Sequence, residues 1–149
     1  MAGLSASCFK GNLGLQCLLC EEEGGTVLWR DDFCRVVRAP ADGYPGLCRV
    51  VLNRHESEMT DLAPDERAQL MGVVLAAESA LRGLFKPQKM NLASFGNQVP
   101  HLHWHVIPRT ADDPHFPDPS WGAARRAPPT DYARVSDAAI SARLAELLD

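Results

Sequence analysis

The chain has 149 residues, the size of one ordinary domain, with 46% hydrophobic and 23% charged residues, the proportions of a globular rather than a disordered protein. A formal net charge of -4 argues against a general nucleic-acid coat, which would be basic, and leaves room for a small anionic ligand in a locally positive pocket. The N-terminus makes a poor signal peptide, and no uninterrupted apolar run nears the ~18–20 residues of a membrane span. Neither a membrane nor a nucleic-acid polymer is expected as a partner.

The first dozen residues are small, polar and Gly-bearing and read as a loose tail. Five cysteines follow no even pattern: Cys17 and Cys20 form a C-x-x-C pair, and Cys8, Cys34 and Cys48 are scattered. An odd count does not suit a secreted disulfide scaffold, so a reducing, cytoplasmic setting is expected. Cys34 and Cys48, inside apolar runs, read as small core residues.

Thr26–Arg30 (TVLWR) and Cys34–Arg38 (CRVVR) are short β-rich runs separated by the turn signal Asp31-Asp32. A Pro/Gly loop over 39–46 leads to a third run at 47–52 (LCRVVL), and the three suit an antiparallel meander. A helix follows. Pro64 fits its first turn, and Asp65 and Glu66 complement its dipole. Leu70, Val74, Ala77, Leu81 and Leu84 recur at steps of three and four, giving one apolar stripe, and Pro87 should end it. Residues 90–94 (MNLAS) read as a fourth strand and 102–107 (LHWHVI) as a fifth, with the Gly/Pro connection 95–100 compatible with a hairpin. Residues 111–129 read as an extended Pro/Asp-rich segment pinned by Phe116 and Trp121. A terminal helix over 136–148 has Ser136 as N-cap and Ile140, Leu144 and Leu147 as its stripe. Strands on either side of one long helix, without a regular βαβ rhythm, indicate a single α+β domain with an antiparallel sheet.

Residues 101–107 (HLHWHVI) carry the chemistry. Three of the five histidines occur here at alternate positions. Side chains on a strand alternate faces, so His101, His103 and His105 share one face over ~13 Å, while Leu102, Trp104 and Val106 point into the core. Such a face can exchange protons, attack phosphorus or bind metal. Periodicity alone leaves two chemistries open: imidazoles ligating a catalytic metal, or a central imidazole acting as nucleophile toward a phosphate.

This stretch resembles the His-φ-His-φ-His-φ-φ signature (φ apolar) of the histidine triad (HIT) family. The Tyr44-Pro45-Gly46 entry to the third strand, His55, the run 58–62 (EMTDL) and the approach 96–100 (GNQVP) are similar to its bacterial, diadenosine tetraphosphate hydrolase-like branch. So is the tail 116–122 (FPDPSWG). The match covers a core of about 17–109, leaving a C-terminal extension over 110–149. The resemblance implies a five-stranded antiparallel sheet, commonly dimerised into ten strands, and nucleotidyl hydrolysis or transfer at an α-phosphate. It implies that His103 is the nucleophile, with its other ring nitrogen donating to a backbone carbonyl. His105 would contact the phosphate and assist the leaving group, with His101 and His55 close by. Asn97, Gln98 and Asn91 would face the phosphates. Ala39 stands where many relatives hold the ribose with Asp or Asn, and Asp42 is the nearest substitute.

Some HIT relatives, and the related galactose-1-phosphate uridylyltransferases, bind structural zinc through a Cys pair, an upstream His and the first triad His. The corresponding residues here are Cys17, Cys20, His55 and His101, a Cys2His2 set. A zinc site there would free His103 and His105 for catalysis. A C-x-x-C without metal is the other reading of the pair, and no thioredoxin-like pattern surrounds it.

The expected function is therefore a HIT-type hydrolase or nucleotidyl transferase acting on a dinucleoside polyphosphate or nucleoside phosphoramidate through a covalent nucleotidyl-histidine. A nucleotide-binding or sensing module with little turnover is the alternative, motivated by Ala39. A metal-dependent hydrolase with the triad as ligands is a third possibility. A homodimer is expected from the family.

Overall fold

The structure, a computed structural model, describes residues 16–149 apart from Ala133. The N-terminal tail and Cys8 lie outside the described residues. A short helix α1 (Leu18–Glu21) leads into strands β1 (Thr26–Arg30), β2 (Cys34–Arg38) and β3 (Cys48–Leu52). A 3-10 turn at Met59–Asp61 precedes the long helix α2 (Pro64–Phe85); β4 (Lys89–Ala93), β5 (His103–Arg109) and α3 (Asp137–Leu148) complete the chain. The strands form one sheet in the order β1-β2-β3-β5-β4, antiparallel throughout. The expected α+β class, meander and final hairpin are all present.

Local chemistry explains these elements. Asp31 Oδ1 accepts from the backbone N–H groups of Phe33 and Cys34 at 2.9 and 2.7 Å, closing the β1–β2 turn. Pro64 opens α2, and the Glu66 carboxylate accepts from Ala63 N–H at 2.9 Å. The helix ends where Lys86 adopts a left-handed conformation with φ 48°, just before Pro87. Ser136 Oγ caps α3 by accepting from Ala139 N–H.

α2 and α3 cover one face of the sheet. Leu70, Val74, Ala77 and Leu81 from α2 meet Val36, Val50 and Val106 from the strands and Ile140 and Leu144 from α3. Each fully buried Val, Leu or Ile side chain among these contributes about 1.5–3 kcal/mol. Cys34 and Cys48 are fully buried, and burial pushes both thiols up to about 12. α2 is, by length and composition, apolar enough to cross a membrane, which the sequence pattern did not suggest because charges interrupt it; here its apolar stripe is packed into the core.

β5 extends two residues beyond its expected end, through Pro108 to Arg109. The β3 ladder ends at Cys48 opposite Val106, so Pro108 faces only β4 and its missing N–H interrupts no β3 pairing. Flanked by β3 and β4, β5 is rigidly held, and its second face is turned away from the α2–α3 layer.

Candidate active site

His103 and His105 lie on that second face, each 8% exposed, with ring centroids 5.0 Å apart. His103 Nδ1 lies 2.5 Å from the carbonyl of His101, and His105 Nδ1 lies 3.3 Å from that of Ala93. A carbonyl only accepts, so each Nδ1 carries the proton and each Nε2 keeps a free lone pair. Burial lowers both imidazoles from their ordinary 6.5, His105 to about 4. His103 therefore presents a neutral, tautomerically fixed imidazole at neutral pH, the form a nucleophile requires.

His101 is placed differently. It precedes β5 rather than belonging to it, and it is fully buried. Its Nε2 donates to the Leu52 carbonyl at 2.6 Å. Its Nδ1 faces Cys17 Sγ at 3.3 Å and Cys20 Sγ at 3.5 Å, and His55 Nδ1 lies 3.5 Å from Cys20 Sγ. The four ligand atoms lie within 4.8 Å of one another. This set fits a tetrahedral metal: two sulfurs, two ring nitrogens, and a carbonyl fixing the tautomer of His101 so that its bare nitrogen points inward. Burial lowers His101 to about 4, keeping it neutral as a ligand must be. Cys20 is disulfide-bonded in this structure, so it would serve as a metal ligand only after reduction to the thiolate.

The cysteines reach the triad because Arg35, buried within β2, staples the N-terminal arm to the sheet. Its guanidinium donates to the carbonyls of Leu19, Glu22 and Glu23 at 2.8, 3.3 and 3.1 Å and to Asn53 Oδ1 at 3.2 Å. These bonds satisfy carbonyls at the end of α1 that the helix itself leaves open. This role was not anticipated from the sequence. The one signal was an arginine flanked by apolar residues in a strand.

The polar residues expected around the phosphate are placed unevenly. Asn97 and Gln98 sit exposed on the β4–β5 loop, and no hydrogen bond among the described residues holds either. Asn91, on the histidine face of β4, accepts from Arg109 Nη1 at 2.8 Å. A cavity of about 320 Å³ opens beside His101 and His103, bounded by Ser57, Glu58, Ser94 and Phe95. Ala39 is buried beside Ile107, and Asp42 is exposed.

Trp121 was read only as a pin for the extension, yet its ring stands edge-on to His105 at 5.0 Å and against Phe95 at 4.6 Å. Arg109 is 2% exposed and locked to Asp113. Arg30, Arg54 and Lys89 are likewise engaged, with Glu23, Glu66 and the Met90 carbonyl respectively.

Comparison with known proteins accords with this geometry. The HIT domain family matches residues 21–112. The chain is 31% identical over 101 residues to the AP-4-A phosphorylase of Mycobacterium tuberculosis (strain CDC 1551 / Oshkosh), covering 64% of this chain and 52% of that protein. It thus spans about half the length of the curated relatives it matches. Among solved structures, a histidine triad protein from Bradyrhizobium japonicum superposes with a TM-score of 0.66 at 26% identity, over 85% of this chain and 92% of the other. One from Marinobacter aquaeolei VT8 superposes with a TM-score of 0.65 at 30% identity, over 85% and 90%. The family match spans more than half of the chain and includes the whole histidine strand: the chain belongs to the HIT domain family.

Proposed function

We propose that the protein is a nucleotide hydrolase or nucleotidyl transferase that attacks the α-phosphate of a dinucleoside polyphosphate or nucleoside phosphoramidate. The observation that carries this reading is the fixed tautomer of His103, which aims a bare Nε2 out of the sheet beside a second buried imidazole. Kinship with a protein named AP-4-A phosphorylase supports the substrate class.

In this reading His103 Nε2 forms an N–P bond to the α-phosphorus while the bond to the leaving oxygen or nitrogen breaks. The arriving phosphate anion raises the proton affinity of His105, and the resulting imidazolium donates to the leaving group. Water or another acceptor then takes the nucleotidyl group from His103, with His105 receiving its proton. Asn97 and Gln98 would contact phosphoryl oxygens from the loop, where a spreading charge favours amide donors. Asn91 would act through Arg109.

A zinc ion held by Cys17, Cys20, His55 and His101 would be structural, tying the α1 arm to the catalytic strand. That role assigns His55 and His101 to support of the site, and thiolate ligands suit a reducing, cytoplasmic setting. β4, at the sheet edge beside the triad strand, is the surface through which two copies would join into one ten-stranded sheet; sedimentation equilibrium at the dimer mass would support this.

The deciding experiment is an intact-protein mass spectrum, quenched during turnover of diadenosine tetraphosphate or an adenosine phosphoramidate. An added nucleotidyl mass in wild type and none in His103→Ala is the expected result. Full activity in His103→Ala sinks the mechanism. Tight nucleotide binding without turnover or adduct would favour a binding module, the reading that Ala39 motivates.

A further inference from the structure

Every arginine in the sheet except one has an anionic or carbonyl partner at close range. Arg30 pairs with Glu23, Arg35 holds the α1 arm, Arg38 donates to the Pro45 and Val135 carbonyls and to Asp137, and Arg109 grips Asp113. Arg49 is the exception. Among the described residues its one hydrogen bond is a long 3.4 Å contact from Nη1 to the Gly24 carbonyl. Its Nε is buried with no acceptor, and no carboxylate among the described residues forms an ion pair with it. An arginine does not shed its proton, so a half-buried guanidinium without an anion stands against desolvation unrelieved.

Position gives this imbalance a meaning. Arg49 in β3 pairs directly with His105 in β5, and Val51 pairs with His103. Directly paired residues of antiparallel strands share a face, so the unpaired guanidinium belongs to the catalytic surface. Its charge reaches both imidazoles. The missing partner is an oxyanion, and a planar fork of N–H donors matches phosphoryl oxygens.

We propose that Arg49 is a substrate-binding residue whose guanidinium takes the phosphoryl oxygens of a ligand seated against His105. This deepens the proposed function and rests on its premise that the face receives a phosphate. It also supplies fixed positive charge on a face where Asn97 and Gln98 are solvent-exposed and Ala39 offers the ribose no carboxylate.

The test uses inorganic phosphate and adenosine 5′-monophosphate as probes on the wild-type protein, Arg49→Lys and Arg49→Leu. The side-chain Nε–H signal of Arg49 is followed by ¹⁵N–¹H NMR and identified by its loss in Arg49→Lys. Phosphate should shift that signal, and the dissociation constant for phosphate should rise about tenfold or more in Arg49→Leu, as expected for loss of a charge-assisted hydrogen bond. Arg49→Lys should retain part of the affinity. An unmoved signal, or equal phosphate affinity in wild type and Arg49→Leu, overturns the proposal whatever the nucleotide does. Arg49-dependent phosphate binding with no added affinity for adenosine 5′-monophosphate supports the anion site and removes the nucleotide reading instead.

Discussion

His103 Nδ1 donates to the backbone carbonyl of His101, and His101 Nε2 donates to that of Leu52, so two imidazoles and two strands share one hydrogen-bond chain at 2.5 and 2.6 Å. The chain orients the nucleophile and the inward-facing nitrogen of the Cys/His cluster together. Displacing either carbonyl would disturb both.

The buried imidazoles set a pH dependence. The His105 pKa is about 4 in the folded protein because burial disfavours the cation, against about 6.5 in the unfolded chain. Between those values the unfolded state binds more protons. Stability is therefore fully present above pH 6.5 and falls as the pH drops toward 4, with a slope of at most about 1.4 kcal/mol per pH unit from this group. Urea midpoints measured across that window should decline less steeply in His105→Gln than in wild type. An identical decline would show that His105 does not titrate with a depressed pKa. The acid limb of kcat/KM should likewise lie below the ordinary imidazole value, since burial also lowers His103.

A second prediction concerns the C-terminal extension. Arg109 Nε meets Asp113 Oδ2 at 2.6 Å and Nη2 meets Oδ1 at 3.0 Å, with both side chains at most 2% exposed. Burial alone would raise the Asp113 carboxyl, but Arg109 and the N–H groups of His115 and Phe116 outweigh it and hold the pKa below the usual range. Asp113→Ala leaves a buried guanidinium without its carboxylate, and a loss of about 3–5 kcal/mol is expected. Urea denaturation measures it; a loss under 1 kcal/mol, on the order of a surface pair, would contradict the structural reading.

What could be read in advance follows the range of the interactions. The strands and the α2 stripe were legible because periods of two and of three to four are local. The one-faced pair His103 and His105 was legible for the same reason. His101 was placed on the strand by the same alternation, yet it lies before β5 and turns into the Cys/His cluster. That cluster was anticipated only through resemblance, because 35 or more residues separate the cysteines from each histidine. Helix α1 spans only four residues, too short for a periodic signal. The staple at Arg35, the burial of Arg109 and the approach of Trp121 to His105 all depend on distant chain segments meeting, which no local pattern encodes.

Trp121 offers a direct optical readout of the site. It stands edge-on to His105, is 50% exposed, and comes from the extension rather than the core. Ligand binding beside His105 should change tryptophan emission, and Trp121→Phe should remove most of that change even though Trp29 and Trp104 remain. Because the side chain is half exposed, the stability of Trp121→Phe should stay within about 1 kcal/mol of wild type. An undiminished signal in the variant would place the ligand elsewhere.

Metal removal separates structural from catalytic zinc. Reduced protein purified with zinc should carry one ion per chain, and Cys17→Ser should lower that content. If Cys17, Cys20, His55 and His101 hold the ion, chelation should lower Tm, because metal affinity for a site absent from the unfolded chain is stability of the fold. His103 and His105 use neither ring nitrogen in that cluster. Chelated protein held well below its new Tm should therefore still form the nucleotidyl adduct. Activity lost on chelation with Tm unchanged, and restored by zinc, would instead assign the ion to the chemistry and the triad to its ligands.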